Sequence, residues 1–219
     1  MHKLIILDEA DSMTEAAQQA LRMIMTDYSH TTRFALACND SAKIIEPIQS
    51  RCAIMRFSRL SEGEVVARLL KVIEKEDIKY DQKGLEALVY LSDGDMRSAL
   101  NNLQATVAGT GKVTHDNVFK VCDQPKPEDI HEIIVKAKEG DFETAIQLAE
   151  SLWNKGYNAF DIVAGLNKVI QGLDTPEAMK LKFLKELSIT KMRLVQGVTT
   201  ILQLHGFLAK VYRLSQPSS

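Results

Sequence analysis

Apolar positions in this chain follow two different rhythms, and the change falls near residue 58. Leu4-Ile5-Ile6-Leu7 is a short continuous apolar run closed by acids, the pattern of a fully buried strand. From Met13 to Tyr28 the spacing turns helical, with Ala17, Leu21, Ile24 and Met25 on one face. Thr31 to Cys38 and Cys52-Ala53-Ile54-Met55-Arg56-Phe57 read as two further strands, with a short helix between them. Strand, helix, strand, short helix, strand predicts part of a parallel α/β sheet, and three strands make a poor sheet alone.

After Ser58 the period is helical almost throughout. Ser61 followed by Glu64 has the spacing of a capping box. Apolar stripes at Val65/Val66, Leu69/Leu70 and Ile73, at Leu85, Leu88 and Val89, and at Met96, Ala99, Leu100, Leu103 and Val107 predict three helices, and a fourth, short one follows Thr114. The prolines of Asp123-Gln124-Pro125-Lys126-Pro127 mark a linker. Five more helices are predicted, at 128–139, 142–155, 158–172, 176–194 and 196–213. The stripes at Ile130, Ile133 and Ile134 and at Leu194, Val198, Ile201 and Leu202 suit a bundle core or a partner subunit. The fold class is therefore mainly α with a partial α/β part.

Composition adds bounds. With 219 residues, 45% hydrophobic and 26% charged, the chain fits ordinary globular domains. A formal charge of -2 leaves nucleic-acid contact to a local basic surface. Cys38, Cys52 and Cys122 are an odd, widely spaced set with no zinc-ligand spacing, as expected in a reducing compartment. No run approaches a membrane span, so no membrane partner is expected.

Several residues carry candidate chemistry. Leu4-Ile5-Ile6-Leu7-Asp8-Glu9 has the Walker B pattern, in which the strand delivers one carboxylate toward a magnesium-bound water and the next toward the attacking water. The other reading is a strand that ends in exposed acids. Asn39, just past the second strand, suits an amide that contacts that water and a terminal phosphate, or simply caps a turn. Arg51, before the expected third strand, offers a guanidinium fork to a phosphate or a surface salt bridge. Arg97 is in the first turn of a helix, where a cation opposes the dipole, which suggests a task elsewhere. No Gly-x-x-x-x-Gly-Lys-Ser/Thr occurs; Gly109-Thr110-Gly111-Lys112 follows no strand and is a turn. Asp8-Glu9-Ala10-Asp11 also spells the DEAD-box helicase motif, but that family's Ser-Ala-Thr is replaced by Ser41-Ala42-Lys43.

These motifs together resemble the AAA+ clamp-loader family, specifically the small subunits of replication factor C. The residues concerned are 4–13, Gln18-Gln19-Ala20-Leu21-Arg22, 31–39, Lys43 to Cys52 with its Ser50-Arg51-Cys52 triplet, and Gly94 to Gln104. Asn117 to Asp123 and Leu152 to Tyr157 look most like the eukaryotic subunit 2. The resemblance implies an incomplete RecA-like ATPase core at 1–58, a helical lid at 59–123 and a helical collar at 124–219. It implies Asp8 as the magnesium ligand through water, Glu9 as catalytic acid, Asn39 as sensor 1 and Arg97 as sensor 2 at the ATP, and Arg51 as a finger acting in trans on the adjacent subunit's ATP. The implied partners are the other subunits of a five-subunit ring, the sliding clamp PCNA and primer-template DNA, in the nucleus, with ATP and magnesium as cofactors of the full complex. Arg22 is left as a DNA-phosphate contact or a solvated helix arginine. The helix around it departs from the family's Ala-Leu-Arg-Arg-Thr-Met-Glu, reading Ala20-Leu21-Arg22-Met23-Ile24-Met25-Thr26. Without a phosphate loop the sequence is expected to be an N-terminally truncated piece that does not hydrolyse ATP alone. A non-catalytic oligomerisation scaffold is the alternative.

Overall fold

The computed structural model describes residues 2–216. It divides into two compact units, Met1–Ser58 and Arg59–Ser219. In the first, β1 (Lys3–Leu7) and β2 (Thr32–Leu36) pair in parallel, from Lys3 opposite Thr32 to Leu7 opposite Leu36. Parallel pairing requires a crossover, supplied by α1 (Glu15–Asp27), which starts on a Thr14 side chain that accepts from the Ala17 N–H. A short α2 (Glu46–Gln49) follows. The buried apolar cluster of this unit is small: Ala10, Leu21, Ile44 and Ile48.

Two expectations fail here. Cys52 to Phe57 forms no strand, and Met55 and Phe57 are exposed at 75% and 89%. Nor is β1 a fully buried strand, since Leu4 and Ile6 are 64% and 69% exposed. The physical reason is common to both. A strand buries its faces and satisfies its edges only through neighbours, and among the described residues the sheet has two strands. The sequence pattern reports burial that these residues alone do not provide.

The second unit is helical, with two separate cores. The first joins α3 (Glu62–Lys75), α4 (Gln82–Ser92), α5 (Met96–Thr110) and α6 (His115–Val121) around Val65, Leu69, Leu88, Leu103 and Phe119. The capping box at its start is present: Ser61 Oγ accepts from the Glu64 N–H, and the Glu64 carboxylate accepts from the Ser61 N–H. The second core joins α7 (Pro127–Glu139), α8 (Phe142–Asn154), α9 (Ala159–Gly172), α10 (Glu177–Val195) and α11 (Leu202–Ser215) around Ile134, Leu152, Phe183 and Phe207.

The last helix starts at Leu202 instead of 196. Gly197 takes φ +94°, and the β-branched Val198, Thr199 and Thr200 follow it, so the chain turns before resuming a helix. Leu194 is buried, while Val198 and Leu202 of the same predicted stripe are exposed. No helix among the described residues is long and apolar enough to cross a membrane.

Candidate functional site

The parallel pair sets the site. Ala37, one residue past β2, donates its N–H to the Leu7 carbonyl at 2.8 Å and accepts from the Ala10 N–H at 2.9 Å. Both backbone groups of one residue thus hold the turn that carries Asp8 and Glu9, and Asn39 follows two positions on. The two acids and the amide leave the same C-terminal end of adjacent strands, where open α/β sheets bind ligands. All three are exposed.

The turn itself is strained. Glu9 sits at φ 50°, in the left-handed region, and caps a short 3-10 helix at Ala10–Ser12. For a residue other than glycine that conformation costs on the order of 1–3 kcal/mol and persists only where the surroundings impose it. Here they do: Asp8 Oδ1 accepts from the Glu9 N–H at 2.9 Å, and Ser12 Oγ donates to the Glu9 carbonyl at 2.7 Å. The Glu9 side chain is left free at the mouth of the strands.

Behind this turn lies a residue that carried no assigned role in the sequence. Gln18 of α1 is 3% exposed. Its amide donates to the carbonyls of Met13 at 3.2 Å and Lys43 at 2.9 Å, and its oxygen accepts from the Ile45 N–H at 2.9 Å. It therefore fixes the segment that follows Asn39. The available signal was a polar residue one turn before Leu21 on the apolar face of the helix.

The arginines are placed separately. Arg51 follows α2, exposed, with Nη1 donating to the Pro47 carbonyl at 2.7 Å. Among the described residues no carboxylate lies within ion-pair distance of it, so the surface salt bridge expected as the alternative is not made. Arg22 is on α1, half-buried, its Nε buried without a hydrogen-bond partner and its Nη2 directed at Met23 Sδ, 3.6 Å away. Arg97 belongs to the helical unit, exposed in the first turn of α5. The N-cap Asp95 accepts from the N–H groups of Arg97 and Ser98, so an acid shares the end where the cation stands.

For a magnesium nucleotide the fit is partial. Asp8 and Glu9 supply exposed carboxylate oxygens of the kind a hydrated magnesium ion takes. The 219 residues contain no glycine-rich phosphate loop. No group of His, Cys, Asp and Glu able to hold a metal by itself occurs among the described residues.

Comparison with known proteins gives the chain's relatives. Residues 125–210 match the replication factor C C-terminal domain. Replication factor C subunit 4 of Oryza sativa subsp. japonica is 54% identical over 95% of this chain and 62% of its own length. Replication factor C subunit 2 of Arabidopsis thaliana is 52% identical over 96% of this chain and 63% of its own. The chain belongs to the replication factor C small-subunit family. It spans less than two thirds of the length of these relatives. Among solved structures, the Bacillus subtilis DNA clamp loader delta protein aligns over 97% of this chain and 78% of its own, with a TM-score of 0.48 and 15% identity.

The family match at 125–210 falls on α7 to α11.

Proposed function

We propose that the chain is part of a replication factor C subunit and works within a clamp loader, which uses ATP to load the sliding clamp PCNA onto primer-template DNA in the nucleus. Residues 1–58 would be part of the ATPase core, 59–123 the lid and 124–219 the collar that joins a five-subunit ring. Asp8 would hold magnesium through water, Glu9 would polarise the attacking water and Asn39 would sense the terminal phosphate. Arg97 would be the second sensor, and Arg51 would reach the ATP of the adjacent subunit.

The observation that carries this reading is the paired exit of Asp8, Glu9 and Asn39 from two parallel strands tied by Ala37. The exposed Arg51, which pairs with no carboxylate among the described residues, supports the role in trans, because a guanidinium engaged with a carboxylate would not be free for a phosphate.

The test uses a reconstituted complex containing this chain. Arg51→Ala should slow ATP hydrolysis by the assembled ring, because it removes charge stabilisation at the neighbouring site. An unchanged rate with assembly intact would leave the scaffold reading, which the exposed Met192, Val195 and Leu202 of the last two helices favour as a contact surface. Calorimetry on the isolated chain should show no tight ATP binding, in keeping with the missing phosphate loop.

A further inference from the structure

The two helical cores of residues 59–219 share no buried residue. The main helix packing is within each bundle: α4 lies against α5 and α6, while α7 lies against α8, α9 and α11. Between the bundles runs the short link Asp123–Lys126, with Asp123 at φ 49°. Beside it is a cavity of about 280 Å³ lined in part by Tyr90, Ser98, Asn102, Gln124, Asp161 and Lys168. With Leu91, Pro125 and Ala164 also in its lining, the junction is of mixed polarity and incompletely filled, so apolar packing does not by itself fix one bundle on the other.

One side chain crosses it with two interactions. Lys168 of α9 donates from Nζ to the Tyr90 carbonyl at 2.9 Å, and the same ammonium stands 4.5 Å from the centroid of the Tyr90 ring. Tyr90 is two residues from the end of α4, where carbonyls lack helical partners and a cation is favoured by the dipole. From Tyr90 the contact continues inward. Its ring lies 6.4 Å from that of Phe119, Phe119 lies 4.8 Å from the His115 ring, and His115 Nε2 is 3.4 Å from Glu128 Oε1 on α7. A continuous path thus runs from α9 through α4 and α6 to α7.

We propose that Lys168 and Tyr90 form a latch that holds the α3–α6 bundle in one orientation against α7–α11. The other ties across the link are weaker holders. Lys126 and Asp116 pair at 2.6 Å, but their side chains are 40% and 78% exposed, so salt screens them and their net contribution is small. Lys168 is half-buried, and both its partners are parts of one residue anchored in a packed helix. The latch does not depend on the functional reading above.

Spin labels at Glu74→Cys on α3 and Glu143→Cys on α8, both exposed positions, report the orientation directly. They are placed in the full chain with Cys38, Cys52 and Cys122 replaced. Pulsed dipolar spectroscopy should give one narrow distance. Lys168→Met should lose that single distance and give a broad distribution, with circular dichroism unchanged, and Lys168→Arg should restore it. If Lys168→Met loses helical signal, Tyr90→Leu, which removes the ring and keeps the carbonyl, decides by the same readout. A narrow distribution in a folded Lys168→Met chain overturns the latch. So does broadening of the parent at about 0.5 M salt, which would assign the hold to the Lys126–Asp116 and His115–Glu128 contacts.

Discussion

Gln18 and Ile45 meet through one hydrogen bond of 2.9 Å, from the Ile45 N–H to the Gln18 side-chain oxygen, across 27 positions of sequence. Gln18→Ala would strand that N–H and the Lys43 carbonyl together, because both rely on the same amide. Both bonds are part-buried, so each stranded group costs less than the roughly 1–3 kcal/mol of a fully buried one. Limited proteolysis should show faster cleavage in the 40–50 loop of the variant, and Gln18→Glu should fail to rescue it, since a carboxylate cannot donate to Lys43.

Gly84 and Gly63 should respond in opposite directions to alanine. A Cβ on Gly84 would stand 2.6 Å from the Val113 carbonyl oxygen and 2.9 Å from Thr114 Cα, main-chain atoms that cannot swing aside. That same carbonyl accepts the Asp81 N–H, so the insertion pushes apart the Tyr80–Val113 bridge. Gly84→Ala is expected to destabilise by about 1–3 kcal/mol. Gly63, in the first turn of α3, has nothing within 4 Å, and Gly63→Ala should stabilise by about 0.4–1 kcal/mol through the unfolded chain. Urea unfolding followed by circular dichroism checks both signs.

Glu9 separates chemistry from structure. Its φ of 50° is imposed by backbone and Asp8 contacts, not by its own carboxylate. Glu9→Gln should therefore leave thermal stability unchanged. In a chimera that joins a phosphate loop ahead of this chain, the same change should lower ATP turnover at that site by about 100-fold or more. Full turnover in the Glu9→Gln chimera would remove Glu9 from the reaction.

Acid should weaken the helical unit slightly through two named, fully exposed carboxylates. The Lys126 ammonium, hydrogen-bonded to Asp116, holds that carboxyl below its ordinary range, and the Ser61 backbone and hydroxyl do the same for Glu64. A depressed folded pKa gives stability that is present above the unfolded value and lost as pH falls through the folded one, here below about pH 4. The Lys126 ammonium is itself held above its ordinary range, first by its bond to Asp116, so its share is lost at the alkaline end. Melting temperatures of the parent and Lys126→Met should converge as pH drops below about 4. A gap that persists in acid would show that the pair is not the cause.

Much of this was readable in the sequence, and the failures have one physical origin. Ser61 and Glu64 announced a capping box because both partners lie within one turn. Gly111 ends α5 with a positive φ, inside the Gly109–Lys112 segment read as a turn. Such signals are local. Cys52–Phe57 was misread because strand character depends on what lies alongside, and the apolar letters of Ile54, Met55 and Phe57 record a neighbour they do not name. In the candidate site, Asp8, Glu9 and Asn39 were legible from their spacing after two strands. Gln18 was not, because its three partners are brought to it only by the fold. The Asp95 cap beneath Arg97 lay in plain view two residues away, and it weakens the argument that the cation stands there unopposed.

The two-stranded sheet also bears on how the chain breathes. With Ala10, Leu21, Ile44 and Ile48 as its buried apolar cluster, against a helical unit that buries Phe119, Phe183 and Phe207, the strand unit has the least to lose by opening. Local opening follows such differences, so amides of β1 and β2 should take up deuterium well before those of α7 and α9. The turn that carries Asp8 and Glu9 would then spend part of its time dissolved, and whatever pairs with the free edges of that sheet would act as a folding cofactor for the acids themselves.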